Sequence, residues 1–197
     1  MDAAFGLYQS GSTEVGLRAI AASIGAAPMS LYAHIATKEE LLDAIADRVL
    51  ADFDAVADRE TEDWVEDVTT RALRHLAVLR AHPWAVPVLL ARPHPGPAAA
   101  RSGEAYLRLL GRSLEAATAA IAFTALLALI YGTAAFLTAE SRATPAQTRG
   151  QVVARIPGGP ELEHTNRASG ELAEYGSEAH FRRAVRALLI GFRDPSA

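Results

Sequence analysis

The feature that most limits the fold is an uncharged segment, Ala116–Ala139, which reads AATAAIAFTALLALIYGTAAFLTA. As a helix it is long enough to span a bilayer. Much of it is alanine and threonine, which gain little from lipid, and its charged flanks show no one-sided positive bias. A helix that is apolar on every face must be covered on every face. We therefore predict a water-soluble protein in which this helix lies in the core and packs against a second subunit, with no membrane partner.

The rest of the chain shows helical periodicity and no convincing alternating strand pattern, which predicts an all-α fold. Thr37 and Glu40 form a Thr-x-x-Glu capping box before one helix, and Ser177 is a plausible cap for the last. The predicted helices are Asp2–Gln9, Leu17–Ile24, Pro28–Ile35, Thr37–Phe53, a segment from near Thr61 to Ala81, a short helix with Pro83 in its first turn, Ala98–Leu110, Leu114–Ala139 and Ser177–Phe192. The predicted irregular regions are a loop over Arg92–Pro97 and an irregular or partly helical stretch over Ser141–Gly159. The chain divides near Phe53 into an N-terminal domain, residues 1–53, and a larger helical domain, residues 54–197.

Composition excludes several classes of protein. A net charge of -4 and a pI near 5.9 argue against coating nucleic acid by bulk charge, although a local basic face is still possible. With no cysteine there is no disulfide framework, thiolate metal site or thiol catalysis. No Gly-x-Ser-x-Gly elbow, phosphate-binding glycine-rich loop or His-Glu-x-x-His helix is present. No secretion signal begins at Met1. We predict a cytoplasmic protein that is not an enzyme and holds no cofactor or metal.

The first fifty residues have the layout of a helix-turn-helix. Ala21 is a small residue where two helices would cross, and Gly25, four positions later, would make the turn. Leu31 and Ile35 on the second helix would fix the crossing angle. Between Val15 and Lys38 there is no acidic residue, so this part of the surface is locally basic. Such a second helix is presented for the major groove of DNA, with its N-terminal residues nearest the bases.

This stretch resembles the DNA-binding domain of the tetracycline-repressor (TetR) family of bacterial transcriptional regulators. The similar positions are Ala3–Leu7, Gly11, Leu17–Ala21, Gly25, Met29–Ile35 and Lys38–Leu42. They cover about the first quarter of the chain, and their combined spacing is far more specific than an isolated Ala-x-x-x-Gly. The resemblance implies a homodimer that binds a palindromic operator in double-stranded DNA, most often as a repressor, and a divergent C-terminal domain that senses a small molecule.

The resemblance also implies roles for individual residues. Arg18 looks like the residue of the second helix that reaches a guanine edge, and Lys38 looks like a phosphate contact at the start of the next helix. The other implied contacts are to bases from Pro28, Met29 and Ser30, and to phosphates from Tyr32 and His34. Taken singly, the tyrosine, histidine and lysine could equally be packing or surface residues. Their joint occurrence at the family spacing favours DNA binding.

Two features depart from the family pattern. Met1 falls inside what would be the first helix, so the preceding basic arm would be missing, and Gly16 stands where a Ser or Thr cap is usual. Acidic residues also outnumber Arg and Lys over the first fifty residues. The alternative is therefore a degenerate family member that dimerises and binds a small molecule without binding DNA. A helical enzyme is the less favoured alternative from another class.

The C-terminal domain resembles the family only in its plan. By that analogy, the uncharged helix and the last helix would form the dimer interface. A pocket between its helices would be mostly apolar with a few polar groups, which indicates an apolar or amphipathic ligand. The candidate ligand-binding residues are Trp64, His75, Tyr106, Phe123, Tyr131 and Phe136. Each of them could instead be an ordinary core residue.

Overall fold

Every regular element in the described part of the chain is helical, which confirms the predicted all-α fold class. The computed structural model describes residues 2–9, 17–23, 25, 35, 37–54, 60–91, 96–141, 149–157 and 159–193. The helices are α1 (Asp2–Gln9), α2 (Leu17–Ser23), α3 (Lys38–Asp54), α4 (Trp64–Ala81), α5 (Ala85–Ala91), α6 (Pro97–Leu110), α7 (Ala116–Ser141), α8 (Arg149–Ala154), α9 (Glu163–Ala173) and α10 (Glu178–Arg193), with a 3-10 turn at Pro160–Leu162 before α9. The predicted recognition helix over Pro28–Ile35 lies, apart from its last residue, outside the described residues.

Both predicted N-terminal caps, Thr37 and Ser177, are confirmed. The Thr37 hydroxyl accepts a hydrogen bond from the amide of Glu40 at 3.1 Å, at the start of α3. The Ser177 hydroxyl accepts from the amide of His180 at 3.1 Å, at the start of α10. In both cases the side-chain oxygen satisfies an amide that has no partner within the helix.

The predicted start of α4 near Thr61 is wrong by about one turn. Asp63 is the cap, because its carboxylate accepts from the amides of Val65 and Glu66. Thr61 instead donates its amide and its hydroxyl to the buried carboxylate of Asp67, each at 2.9 Å. The prediction for Pro83 was also slightly wrong, since it lies in a turn just before α5 rather than inside that helix.

Helix α7 has a fully buried face, formed by Ala119, Ala122, Leu126, Ile130 and Ala134. It packs against α4, α5, α6 and α10, so it is the central helix of the large domain. Of the described residues, only Ala116–Ala139 forms a helix long and apolar enough to cross a membrane, with a mean hydropathy of 2.1. About a quarter of that span, 28%, is buried inside one chain. Its remaining surface is therefore available for a second subunit.

The region between α7 and α10 is more helical than the sequence indicated. Within the stretch predicted as irregular or partly helical, α8 is formed, and α9 follows where no helix was predicted. Pro160 in the 3-10 turn and the ion pair between Glu163 and Arg167 are the local signals that indicate a helix here. No residue of α9 is buried, so it has no continuous apolar face for periodicity to detect.

Helix α3 takes part in two clusters of buried side chains. Its first half contributes Leu41 and Ile45 to a small cluster with Ile20 of α2. Its second half contributes Val49 and Phe53, among others, to the large core of the body. The division between domains that the sequence placed after Phe53 stays a prediction, but α3 clearly belongs to both packing units.

Candidate DNA-binding and ligand-binding sites

The described part of the N-terminal domain contains the beginning of a helix-turn-helix. Ile20 and Ala21 of α2 are buried, and Gly25, two positions after the last residue of that helix, adopts a φ of 66°. An L side chain is strained in this left-handed conformation, so a glycine is needed here. The Gly25 amide also bonds to the carbonyl of Ala22 at 3.2 Å. The small residue, Ala21, and the turn glycine, Gly25, thus occupy the positions that the sequence predicted for them.

The predicted DNA contacts can be located only in part. Arg18 lies on α2, and Lys38 is the first residue of α3, where its side chain is exposed. The amides at the start of a helix favour an anion such as a phosphate, although Glu39 and Glu40 share this turn. The predicted contacts Pro28, Met29, Ser30, Tyr32 and His34 lie outside the described residues. The DNA-contact set therefore stays a prediction.

Four of the six predicted ligand-binding residues meet in the body. They are His75 of α4, Tyr106 of α6, and Phe123 and Tyr131 of α7. The His75 ring lies 6.2 Å from Tyr106 and 5.5 Å from Tyr131, and Tyr106 lies 5.7 Å from Phe123, between ring centroids. His75 and Tyr106 are fully buried, whereas the two rings from α7 are partly buried. We call this group, with the two residues described next, the aromatic cluster.

The sequence interpretation missed two members of the aromatic cluster, Phe53 and Arg71. Phe53, in the last turn of α3, stacks on His75 at 4.6 Å with an interplanar angle of 16°. The guanidinium carbon of Arg71 lies 4.5 Å from the centre of the Phe53 ring and 4.9 Å from that of Tyr106. Arg71 is only 2% exposed. A signal was available, since Arg71 precedes His75 by four residues and must share its helix face.

Burial determines the protonation of the cluster. Desolvation, together with the charge of Arg71, lowers the pKa of His75 to about 3, so its imidazole is neutral at physiological pH. Burial raises the pKa of Tyr131 to about 12, so it keeps its hydroxyl proton. The His75 Nδ1 lies 3.4 Å from the Tyr106 hydroxyl. Within the described residues, the buried Nε2 of His75 has no hydrogen-bond partner.

The other two predicted ligand residues lie elsewhere. Trp64 begins α4 and lines a surface cavity of about 500 Å³ with Glu62, Asp63, Ser113 and Arg193. Phe136 is 55% exposed, and its ring makes an edge contact with Tyr175 at 5.6 Å. Neither is brought into the aromatic cluster. Ligand binding by any of the six residues stays a prediction.

The N-terminal helices contact the body at two further points. Asp47 of α3 accepts hydrogen bonds at Oδ1 from the amides of Ala98 and Ala99, at 2.8 and 3.2 Å, in the first turn of α6. Phe5 of α1 packs against His82 and Trp84, at ring distances of 5.3 and 5.6 Å. A movement of α6 would therefore displace α3, and a movement of the turn that contains His82 and Trp84 would displace α1.

A small helical domain with a glycine turn, joined through one long helix to a helical body with a buried polar and aromatic cluster, is the architecture of a ligand-sensing transcriptional regulator. The family model described as tetracyclin repressor-like, C-terminal domain, matches residues 57–194. The chain belongs to the TetR family of transcriptional regulators, which confirms the resemblance in the sequence. Members of this family are regulators rather than enzymes, soluble, and dimeric on DNA, with small-molecule ligands.

Individual relatives agree with this assignment. The transcriptional repressor DrrR1 of Streptomyces coeruleorubidus is 36% identical over 96 residues, which are 49% of this chain and 36% of DrrR1. A transcriptional regulator of Saccharopolyspora erythraea is 27% identical over 187 residues, which are 94% of this chain and 78% of that protein. The match thus spans about a third of the length of the first relative.

Solved structures show the same fold. Apo ActR of Streptomyces coelicolor superposes with a TM-score of 0.83 at 21% identity, covering 98% of this chain and 91% of ActR. ActR has also been solved in complex with (S)-DNPA and with actinorhodin. At this identity the likeness establishes the fold alone.

Proposed function

We propose that the protein is a homodimeric, ligand-responsive repressor that binds a palindromic operator through its N-terminal helix-turn-helix. Small molecules that bind in the aromatic cluster change its affinity for the operator. The single observation that carries the proposal is helix α3, because it has Lys38 at one end and Phe53 of the aromatic cluster at the other.

A continuous helix can transmit a displacement between these ends. At about 1.5 Å per residue, Lys38 and Phe53 lie roughly 22 Å apart along the axis. A tilt of about 5° would then move one end relative to the other by roughly 2 Å, a shift typical of allosteric helix movements. In a dimer such a tilt changes the distance between the two recognition helices. The ligand therefore shifts a two-state equilibrium if it binds one arrangement better than the other.

The exposed faces of α7 and α10 support the homodimer. On α7, Ala117, Ile121, Thr124 and Ala128 recur at helical spacing and are all exposed, with Ile121 at 59%. On the adjacent α10, Ala187 and Ile190 are exposed, Ile190 at 52%. Two helices from each subunit would form a four-helix bundle around a two-fold axis, with the small residues allowing close approach. This arrangement would also cover the uncharged helix.

The dimer is tested by replacing Ile121 with glutamate. A charge at this position would be buried without a partner, so we expect Ile121→Glu to be monomeric by light scattering and to lose operator binding. Leu90→Glu is the matched control, since Leu90 is 53% exposed on α5. It should stay dimeric. A dimeric Ile121→Glu protein would contradict the proposed interface.

Operator binding is tested by footprinting the full chain on the palindrome nearest to the promoter of its own gene. We expect a protected palindrome at low salt and steep weakening as salt rises, because binding releases counterions from phosphates. No footprint from a dimeric protein would refute the repressor function. This result would instead favour a degenerate family member that dimerises without binding DNA. The excess of acidic residues in the first fifty positions supports that alternative.

A further inference from the structure

We propose that the contact between His82 and helix α1 depends on pH: protonation of the His82 imidazole releases α1 from the body and lowers the affinity for the operator. The effect on the operator rests on the proposed function, whereas the release of α1 does not. Three observations carry the proposal. They are the aromatic contact that joins α1 to the body, the fixed position of His82, and the burial of its ring.

Helix α1 is joined to the body through aromatic rings. The Phe5 ring lies 5.3 Å from that of His82 and 5.6 Å from that of Trp84, and the two rings of the body lie 6.0 Å apart, between centroids. We call these three residues the α1 contact. Helices as short as the 8 residues of α1 are marginal in water on their own. The position of α1 therefore depends on the contacts that it makes.

A change in the position of α1 reaches the predicted helix-turn-helix. Helix α1 contacts α2, the first helix of that motif. Ala3 and Leu7 of α1 pack against the small cluster that contains Ile20 of α2. Phe5 and Trp84 pack against both this cluster and the large core of the body. Release of α1 would therefore remove support from α2, which carries the predicted DNA contact Arg18.

The position of His82 is fixed between α4 and α5. Its amide donates to the carbonyls of Val78 and Leu79 at 3.0 and 3.3 Å, and its carbonyl accepts from the amide of Ala85 at 2.9 Å. The residue is 9% exposed, and its buried Nδ1 has no hydrogen-bond partner in the part of the chain that the structure describes. A protonated imidazole donates from both nitrogens. Protonation in the closed contact would therefore bury a charge and leave a donor unsatisfied, which is costly.

The sign of the pH dependence follows from this burial. Desolvation lowers the pKa of His82 below its usual value of 6.5, and the charge of Asp52 opposes this only in part. When α1 is released, water reaches the ring and the pKa returns towards 6.5. The released form therefore binds the proton more tightly than the closed form. The contact is strongest above pH 6.5 and weakens as the pH falls below this value.

The charged residues around the α1 contact come mainly from α3. Asp52 favours the protonated imidazole, whereas the guanidinium carbon of Arg48 lies 4.7 Å from the centre of the Phe5 ring and adds positive charge on the same side. The charged residues nearest in sequence on the other elements are Asp2 of α1 and Arg80 of α4. Helix α5 carries none. The opposing charges of α3 leave burial as the largest influence on His82.

Hydrogen exchange of α1, followed by mass spectrometry, tests the release. Protection relative to the intrinsic exchange rate at each pH reports the equilibrium between closed and released α1. We expect the protection of Asp2–Gln9 to fall severalfold between pH 7.5 and pH 5.5 in the unmodified protein. The upper limit is about tenfold for one histidine with a released pKa near 6.5. Equal protection at the two pH values would overturn the proposal.

Variants assign the effect to His82. His82→Phe keeps a ring against Phe5 but cannot bind a proton, so the protection of α1 should be the same at both pH values. His164→Phe is the matched control, because His164 is exposed on α9, and it should behave as the unmodified protein does. A fall in His82→Phe as large as in the unmodified protein would overturn the assignment. Phe5→Ala should show severalfold lower protection of α1 already at pH 7.5, and undiminished protection would show that the α1 contact does not hold the helix.

Operator binding by the same proteins separates this proposal from the proposed function. Protonation of other histidines adds positive charge and strengthens DNA binding in every variant, so the comparison with His82→Phe isolates His82. In anisotropy titrations, the ratio of operator affinity at pH 5.5 to that at pH 7.5 should be lower in the unmodified protein than in His82→Phe. Equal ratios would overturn the control of DNA binding by α1. A protein that shows the expected exchange but binds no operator at either pH supports the release of α1 and refutes the proposed repressor.

Discussion

The contact between Asp47 and helix α6 offers a direct test of how the two parts of the molecule are joined. The Asp47 carboxylate accepts hydrogen bonds from the amides of Ala98 and Ala99, which have no acceptors within their own helix. It therefore serves as an N-terminal cap supplied by another helix. A side-chain cap contributes about 0.5–2 kcal/mol. A negative charge at a helix N-terminus contributes about 0.3–1 kcal/mol.

We expect Asp47→Ala to lower the free energy of unfolding by about 1–2 kcal/mol, because both contributions are lost. Asp47→Asn should lose about half as much, since its amide oxygen still accepts a hydrogen bond but carries no charge. For a chain of this size about 1 kcal/mol corresponds to roughly 2–4 °C in Tm. The Asp47→Ala protein should therefore melt several degrees below the unmodified protein.

Thermal and urea unfolding should be measured at one fixed protein concentration, because the stability of a dimer depends on concentration. Asp52→Ala is the matched control, since Asp52 is exposed on the same helix, and it should change stability by less than about 0.5 kcal/mol. If Asp47→Ala and Asp52→Ala unfold at the same temperature, the carboxylate does not hold α6, and the reasoning is refuted.

A double-mutant cycle with Gly96 tests the same contact from the other side. A methyl group at Gly96 would overlap the Asp47 carboxylate, whereas the φ of -66° at Gly96 suits alanine. We expect Gly96→Ala to destabilise the unmodified protein but to cost clearly less in the Asp47→Ala protein, because the overlapping group is gone. Strict additivity would show that the two residues do not meet in solution.

Three further predictions concern single side chains. Burial raises the pKa of Asp67, but hydrogen bonds from Thr61 and Arg112 outweigh this and lower it overall. Its stabilising contribution is therefore full above the unfolded value near 3.8 and is lost as pH falls through the lower folded value, and Asp67→Asn should cost about 2 kcal/mol in urea unfolding at pH 7. The pKa of His75 is lowered to about 3, so stability should fall as pH drops from about 6.5, by roughly 2 kcal/mol between pH 7 and 5. That loss should shrink in His75→Phe and persist in His164→Phe; an unchanged pH dependence in His75→Phe would contradict the buried neutral imidazole. Lys38→Gln should weaken binding to all DNA sequences alike and lower the salt slope by about one per subunit in anisotropy titrations, whereas a change in sequence preference would contradict a phosphate contact.

The parts of the fold that follow from local chemistry could be predicted from the sequence. The uncharged segment predicts a core helix, and Thr37 and Ser177 predict the two caps that the structure contains. The cap at Asp63 could not be chosen with certainty, because Thr61 is an equally good capping residue. What excludes Thr61 is a tertiary arrangement, in which Asp67, bonded to Thr61, also pairs with Arg112 of the turn after α6.

The aromatic cluster could be predicted only in part, for a geometric reason. Phe123 and Tyr131 are eight residues apart on α7, which places them within about 80° of each other around the helix. Phe136 is five residues beyond Tyr131 and lies about 140° away, on another face. Angles on one helix can thus be read from the sequence. The position of Arg71 on the same helix face as His75 could also be read from the sequence, but its contacts with the rings of Phe53 and Tyr106 could not, because they depend on the packing of α3 and α6 onto α4.

The size of the contacts around α3 limits how a ligand can control DNA binding. A hundredfold loss of operator affinity needs a coupling free energy of about 2.7 kcal/mol, since each factor of ten corresponds to about 1.4 kcal/mol. The Asp47 cap supplies about 1–2 kcal/mol, which is less than this. The stacking of Phe53 on His75 adds about 0.5–1.5 kcal/mol beyond its burial. A ligand that inserts beside His75 must therefore disturb both contacts to release the operator fully. The Asp47→Ala protein, which has already lost one of them, should therefore show a smaller change in operator affinity when a ligand binds in the aromatic cluster.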